Sequence, residues 1–411
     1  MTEPTTRIVI AGAGHAGGTA AAELRRAGFT GAITLVGDEP IPPYERPPLS
    51  KAWLKGETDA EKLALKPASF YPGANIDLRL NTTVTAIDRV AKTVSLGTGE
   101  LLPYDVLILA TGARARRIAL PGLDLGNVLE LRNAADADRL KAVLGPGKRL
   151  AVIGGGYIGL EAAASARSLG AEATVIEREA RVLARVACPL LSEFFQSYHR
   201  TQGVVIEVDA QVAALEGADG HVTGVRLDGG RLIPCDAALV GVGAVANDEL
   251  ARDAGLACDG GIIVDLAART DDPAIYAIGD CTRRPLPLYG RMMRLESVPN
   301  ALEQARQAVA TICGKASPPP EVPWFWSDQF DLRLQIAGIP FDCTEIVVRG
   351  DLTAGKFALF HLTPDGIVQA VEAVNASPEF MGGRRIIQQR KKIAAERIRD
   401  VSVTMQELAA R

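Results

Sequence analysis

Cysteine is scarce in this 411-residue chain, with six in all at Cys188, Cys235, Cys258, Cys281, Cys313 and Cys343. None forms a C-x-x-C pair and none has zinc-ligand spacing, so neither a dithiol centre nor a metal site is expected. No segment clusters the four cysteines that an internal iron–sulfur cluster needs. The six read as reduced, mostly buried thiols. Long apolar runs are missing as well, and no stretch reaches the ~20 residues of a membrane span. Met1 to Thr6 lack the basic and apolar regions of a secretory signal. Basic residues are not in excess: 45 Lys and Arg stand against 49 Asp and Glu, a formal charge of −4. Nothing global therefore points to nucleic acid. A cytoplasmic protein with no membrane or nucleic-acid partner is expected.

What is abundant is glycine, at 41 residues, in a chain that is 47% hydrophobic and 23% charged. That composition belongs to a folded protein, and the length suits two or three domains. Arg7 to Ala11 reads as a short buried strand. It runs into Gly12-Ala-Gly14-His-Ala-Gly17 and then an Ala-rich helix to about Arg26, which Gly28 ends. Ala32 to Val36 form the next strand. This is a dinucleotide-binding fingerprint in its required context. Gly12 makes the turn, Gly14 lets a pyrophosphate approach the backbone, and Gly17 lets helix and strand pack closely. The helix N-terminus presents its positive end to the phosphates. The acid expected to hold the ribose is displaced, because Gly37 follows the strand and Asp38 comes next. Asp38 is the favoured candidate. His15 lies in the loop without a catalytic role.

The pattern returns at Arg149 to Ile153, followed by Gly154-Gly-Gly156-Tyr-Ile-Gly159, a helix to about Leu169, Gly170, and a strand over Ala173 to Ile176. Here an acid, Glu177, stands at the strand's end. A carboxylate there accepts hydrogen bonds from the 2′-hydroxyl of NAD and repels the extra phosphate of NADP. Arg178 and Arg181 are close enough in sequence to soften that preference, but NADH is favoured. Two nucleotides in one enzyme suggest a flavin beside a nicotinamide.

Further segments complete a family pattern: Pro43-Tyr-Glu-Arg-Pro-Pro-Leu-Ser-Lys51, Leu107-Ile-Leu-Ala-Thr-Gly112, Ile275-Tyr-Ala-Ile-Gly-Asp280, Glu296-Ser-Val-Pro-Asn-Ala-Leu-Glu-Gln304 and Pro323-Trp-Phe-Trp-Ser-Asp-Gln329. With them the chain closely resembles the putidaredoxin reductase and biphenyl dioxygenase ferredoxin reductase family. The resemblance implies an α/β protein. It would have two Rossmann-like domains of glutathione-reductase-like fold, one for FAD and one for NAD, plus a smaller α+β C-terminal domain. The FAD domain would take residues 1–112 and 241–317, the NAD domain 113–240, and the C-terminal domain 318–411. The Pro-rich stretch from Ser317 to Pro323 suits a boundary. The activity implied is hydride transfer from NADH to FAD, then single-electron transfer to a 2Fe-2S ferredoxin. That ferredoxin would supply a haem-thiolate monooxygenase or a ring-hydroxylating dioxygenase.

The resemblance also assigns residues. Lys51 would lie against the flavin ring, and Glu161, expected on the first turn of the second fingerprint helix, would pair with it and help to place the nicotinamide. FAD would be held by Gly12, Gly14, Ala16, Gly17, Asp38, Lys51, Val84, Thr111, Gly112, Arg132, Asp280 and Val298. NAD would be held by Gly154, Gly156, Tyr157, Ile158, Gly159, Glu177 and Gly243. The helix beginning at Val298 would aim its positive end at the flavin pyrimidine edge. Trp326, one of three tryptophans, would be the docking and electron-exit residue. The basic tail (Arg384, Arg385, Arg390, Lys391, Lys392, Arg397 and Arg399) would be either a solvated face or a steering surface for an acidic, transiently bound ferredoxin. A monomer or weak homodimer is expected. The disulfide reductases and thiol oxidases of the same fold need cysteine beside the flavin, and Gly37 to Lys51 contains none. Two alternatives share the scaffold: a rubredoxin reductase, and an NADH-responsive flavoprotein resembling apoptosis-inducing factor.

Overall fold

The computed structural model describes residues 5–410, so part of the Met1 to Thr6 stretch lies outside the described residues. The chain forms two compact units. The first comprises the described residues up to Glu45, Ala60–Arg114 and Val245–Phe325. The second comprises Arg46–Asp59, Ala115–Ala244 and the segment from Trp326 onward.

The first unit is built on a five-stranded parallel sheet. Its order is Ile275–Ala277, Val106–Leu109, Arg7–Ala11, Ala32–Val36 and Ile76–Arg79. Side chains alternate across a strand, and both faces are apolar. Ile8, Ile10, Ile33 and Leu35 enter one core, while Val9, Ala11, Val36, Leu107 and Leu109 enter another. A sheet covered on both sides needs such continuous apolar strands. The first core also takes the helix His15–Arg26 through Ala16, Ala20, Ala21 and Leu24. The helix Val298–Ile312 contributes Ala301, Ala305 and Ala308, spaced to share one face.

The second unit repeats the plan. Its parallel sheet runs Val204–Glu207, Glu172–Ile176, Arg149–Ile153, Ala237–Val240 and Val128–Leu129. Each unit also carries a three-stranded antiparallel meander at the same place in the repeat, starting at Val84 in one and Val212 in the other. Trp324–Gln329 begins a five-stranded sheet, antiparallel among its other four strands, that is joined by the helices Ser377–Gln388, Ala395–Arg399 and Met405–Ala409. The protein is thus α/β, with an α+β C-terminal part. Among the described residues no helix is long and apolar enough to cross a membrane.

One buried cation fixes the helix Val298–Ile312 in the first unit. Arg284 is 2% exposed. It donates to Glu303 at 2.7 Å, Asn300 at 3.1 Å and Gln307 at 3.3 Å, three residues on one helix face. Removing one partner of a buried, hydrogen-bonded ion pair costs about 3–5 kcal/mol. Arg284→Met should therefore lower unfolding free energy in urea by about 3 kcal/mol. A loss below about 1 kcal/mol would show that the helix is held by its alanine face alone.

Candidate functional site: two glycine cradles and a buried carboxylate

In the first unit the glycines of the loop are required by contact. Gly12 has φ +118°, and a Cβ there would lie 2.2 Å from the Ala110 carbonyl oxygen. A Cβ on Gly17 would lie 1.9 Å from the Gly12 carbonyl oxygen. The helix His15–Arg26 starts after Gly14 with no side-chain cap and no acid in its first turn. Its first N–H groups and positive end therefore suit a pyrophosphate. Ala16 is buried in this turn, against Gly279, where an added Cβ would lie 3.1 Å from the Ala16 methyl. Gly279 has φ +82° and precedes Asp280, which is half-buried. The Gly279 N–H donates to Gln304 at 2.8 Å, tying the Gly-Asp turn to the helix Val298–Ile312. Ser297 caps that helix by accepting the Asn300 N–H, and Val298 is its first residue.

Three other candidates are more constrained. The Thr111 hydroxyl donates to the Asn247 carbonyl at 2.6 Å, and Gly112 follows with φ +67°. Val84 is 7% exposed with its side chain in the core, so only its backbone is available to a ligand. Asp38 is exposed, while Glu39 is engaged by the Tyr44 hydroxyl at 2.6 Å. The displacement of the acid has a steric cause. A Cβ on Gly37 would meet the Ala13 methyl at 2.4 Å, so the position after the strand cannot carry a side chain.

The second loop makes the opposite choice. A Cβ on Gly154 would lie 2.4 Å from the Gly241 carbonyl oxygen, and one on Gly159 would lie 2.2 Å from that of Gly154. Above Gly156 the space is open, and the helix Tyr157–Ser168 begins uncapped with no acid in its first turn. Gly155 leaves room for Glu177, whose carboxylate accepts the Gly155 N–H at 2.7 Å and the Glu179 N–H at 2.9 Å. The neighbouring arginines are engaged: Arg178 with Glu179 at 2.8 Å, and Arg181 with the Ala184 and Ala187 carbonyls, both at 2.9 Å. Tyr157 is half-buried and Ile158 exposed on the first turn. Gly243, φ +111°, has the Arg185 guanidinium 3.6 Å from a would-be Cβ. Both loops fit a dinucleotide pyrophosphate.

Lys51 and Glu161 meet in the second unit. Glu161 is the fifth residue of its helix, beyond the first turn where it was expected, so the macrodipole acts on it less. It is 5% exposed. Its Oε2 accepts from Lys51 Nζ at 2.6 Å and Ser50 Oγ at 2.5 Å. Its Oε1 accepts from Ser327 Oγ at 2.6 Å. Ser327 in turn accepts from Gln329 Nε2 at 3.0 Å, and Gln329 Oε1 lies 2.8 Å from His199 Nε2. Ser165 holds the Ser50 carbonyl at 2.6 Å. Ser50 lies in the Pro43–Lys51 segment and Ser327 and Gln329 in the Pro323–Gln329 segment, yet the resemblance assigns them no role, and His199 lies in neither. Arg132 belongs to the same unit. Its N–H donates to Asp136, and its carbonyl accepts from Arg46. Trp326, the residue before Ser327, is half-buried.

The six cysteines are all free. Burial pushes Cys188 up to about 12 and Cys235, Cys258 and Cys343 to about 11, which leaves them poor nucleophiles. Cys188, His361 and Glu372 cluster within 4.8 Å. The Glu372 carboxylate accepts the Cys188 N–H at the start of the helix Pro189–Thr201 and touches His361 Nε2, both at 3.1 Å. It reads as a helix cap, at a helix end whose positive dipole opposes a cation. In the basic tail Lys391 donates to the Leu408 carbonyl, Lys392 pairs with Asp365, and Arg399 pairs with Glu345. Arg385, Arg390 and Arg397 are exposed.

His199 is fully buried, and desolvation pushes it down from 6.5 to about 4. It is neutral in the fold and takes a proton on unfolding below about pH 6.5. The folded state then binds fewer protons, so this contribution is complete above pH 6.5 and is lost as pH falls towards 4. Urea unfolding of wild type and His199→Gln across that range should converge by about 3 kcal/mol on acidification. Parallel pH profiles would contradict the assignment.

Residues 6–305 match the family model for pyridine nucleotide-disulphide oxidoreductases, and residues 324–409 match that for the reductase C-terminal domain. A probable ferredoxin reductase of Castellaniella defragrans is 54% identical over 404 residues, covering 98% of both chains. A rubredoxin-NAD(+) reductase of Pseudomonas putida is 42% identical over 83% of this chain and 89% of its own. The fold superposes on putidaredoxin reductase, solved in a covalent complex with putidaredoxin, at a TM-score of 0.96 with 41% identity, covering 99% and 98% of the two chains. These matches span nearly the whole chain, and with the family model covering residues 6–305 the chain belongs to the pyridine nucleotide-disulphide oxidoreductase family.

Proposed function

We propose that the protein is an FAD-dependent NADH:ferredoxin reductase serving a haem-thiolate monooxygenase or ring-hydroxylating dioxygenase. The observation that carries this reading is the buried Lys51–Glu161 pair in a chain with two dinucleotide cradles and no cysteine between Gly37 and Lys51. FAD, when bound, accepts a hydride from NADH and releases the two electrons singly.

The chain's own residues would bind, orient and exclude. Gly12, Gly14 and Gly17 would seat the FAD pyrophosphate, with Asp38 reaching the ribose and Asp280 the ribityl chain. Gly154, Gly156 and Gly159 would seat that of NADH. Glu177 supports NADH over NADPH because its carboxylate stands at the loop while Arg178 and Arg181 are engaged elsewhere. Lys51 would favour electron-rich reduced flavin, and Glu161 would orient Lys51 and the nicotinamide. Trp326 would anchor an acidic 2Fe-2S ferredoxin in a transient complex. The exposed cations of the tail, among them Arg385 and Arg397, would steer it. Rubredoxin is the second candidate acceptor, since a rubredoxin reductase is among the relatives. Its match covers less of the chain than that of the ferredoxin reductase.

Steady-state NADH oxidation with a panel of 2Fe-2S ferredoxins, rubredoxin and a small dye tests the reading, with NADPH as control. A ferredoxin should give the highest kcat/KM, and NADPH should be at least about tenfold poorer than NADH. Trp326→Ala should cut ferredoxin turnover by about tenfold or more while sparing dye reduction. Rubredoxin outpacing every ferredoxin would favour the second reading.

A further inference from the structure

The Lys51–Glu161 pair is the end of a longer buried chain within the second unit. Ser327 has one hydroxyl proton, and it goes to Glu161 Oε1 at 2.6 Å. Its oxygen must then accept, and Gln329 Nε2 donates to it at 3.0 Å. That orients the Gln329 amide, leaving Oε1 towards His199 Nε2 at 2.8 Å. The Gln329 oxygen is an acceptor, so His199 carries its proton on Nε2. Every donor therefore points the same way: His199 to Gln329, Gln329 to Ser327, Ser327 to Glu161. Ser327 and His199 are fully buried and Gln329 is 1% exposed. Ser327 and Gln329 lie on one face of the strand Trp324–Gln329, and His199 comes from the helix Pro189–Thr201. The Phe330 ring packs edge-on to the imidazole, 5.1 Å between centroids.

Three consecutive polar side chains out of reach of water are costly even when paired, and here His199 Nδ1 has no hydrogen-bond partner, so an apolar set would fill the same space at lower cost. The arrangement has one product, a carboxylate that cannot turn. Oε2 holds Ser50 and Lys51, and a donor fixed on Oε1 bars rotation that would exchange the two oxygens. The Ser165 bond to the Ser50 carbonyl anchors the same turn.

We propose that His199, Gln329 and Ser327 are positioning residues, a directional hydrogen-bond relay that locks the Glu161 carboxylate and through it the ammonium of Lys51. The catalytic significance of the relay rests on the role given to Lys51 and Glu161 above. Its structural part does not.

Two readouts separate these. In stopped-flow experiments, Ser327→Ala and Gln329→Leu should slow flavin reduction at saturating NADH by about tenfold, with NADH affinity unchanged. Ser327→Thr, which keeps the hydroxyl, should return the rate to within about twofold of wild type. In a Glu161→Gln background, Ser327→Ala should have no further effect, because the relay acts only through that carboxylate. Independently of turnover, hydrogen exchange in Pro47–Lys55 should rise in Ser327→Ala, while exchange in the strands Leu332–Gly338 and Val368–Val374 stays as in wild type. Additive rate losses in the double variant, or unchanged exchange in Pro47–Lys55, would overturn the relay. Failure of wild-type flavin to accept electrons from NADH would instead overturn the functional reading, and the exchange measurement would still decide the relay.

Discussion

A carboxylate almost sealed from water must have its charge answered, and in this protein the answer is Lys51. Glu161 is 5% exposed and the Lys51 side chain 19%. Buried ion pairs add little net stability, but losing one member leaves an uncompensated charge and is strongly destabilising. The segment that carries Lys51 is consequently held by more than its ion pair. Leu54 enters the apolar core of the second unit, Trp53 Nε1 donates to Asp138 at 2.8 Å, and Arg46 donates to the Arg132 carbonyl. Pro47 and Pro48 restrict the turn just before. Position and charge are fixed together.

The two cradles show how one backbone design takes two forms through a single exchange of volume. In the first, Ala13 fills the space beside the strand end and position 37 must be glycine. In the second, Gly155 vacates that space and Glu177 occupies it. The acid is then drawn into the loop in one case and pushed outward to Asp38 in the other. The backbone glycines that make the turns, Gly12 and Gly154, and those that bring helix against strand, Gly17 and Gly159, are constrained by the same carbonyl contacts in both.

Much of this was legible in the sequence because it is local. The strand–glycine–helix spacing encodes both cradles within about 30 residues each, and observed strand and helix limits agree closely with those expected. The absence of cysteine beside Lys51 was likewise readable directly. What could not be read was the environment of Glu161. Its partners Ser50 and Ser327 lie 111 and 166 residues away in sequence, and serine, glutamine and histidine at those positions carry no periodic signal. The fate of the basic tail was equally hidden. Its composition predicts a charged face, whereas Lys391, Lys392 and Arg399 are engaged by acceptors on their own chain. Val84 illustrates the same limit, since a strand-start valine gives no sign in sequence of whether its side chain or its backbone faces a ligand.

The most direct test of the account is the rate at which NADH reduces the bound flavin in Glu161→Gln, followed by stopped-flow at saturating NADH with circular dichroism as a control for folding. The account predicts a rate lower by about tenfold or more in a folded, flavin-loaded protein. A wild-type rate in that variant would contradict it.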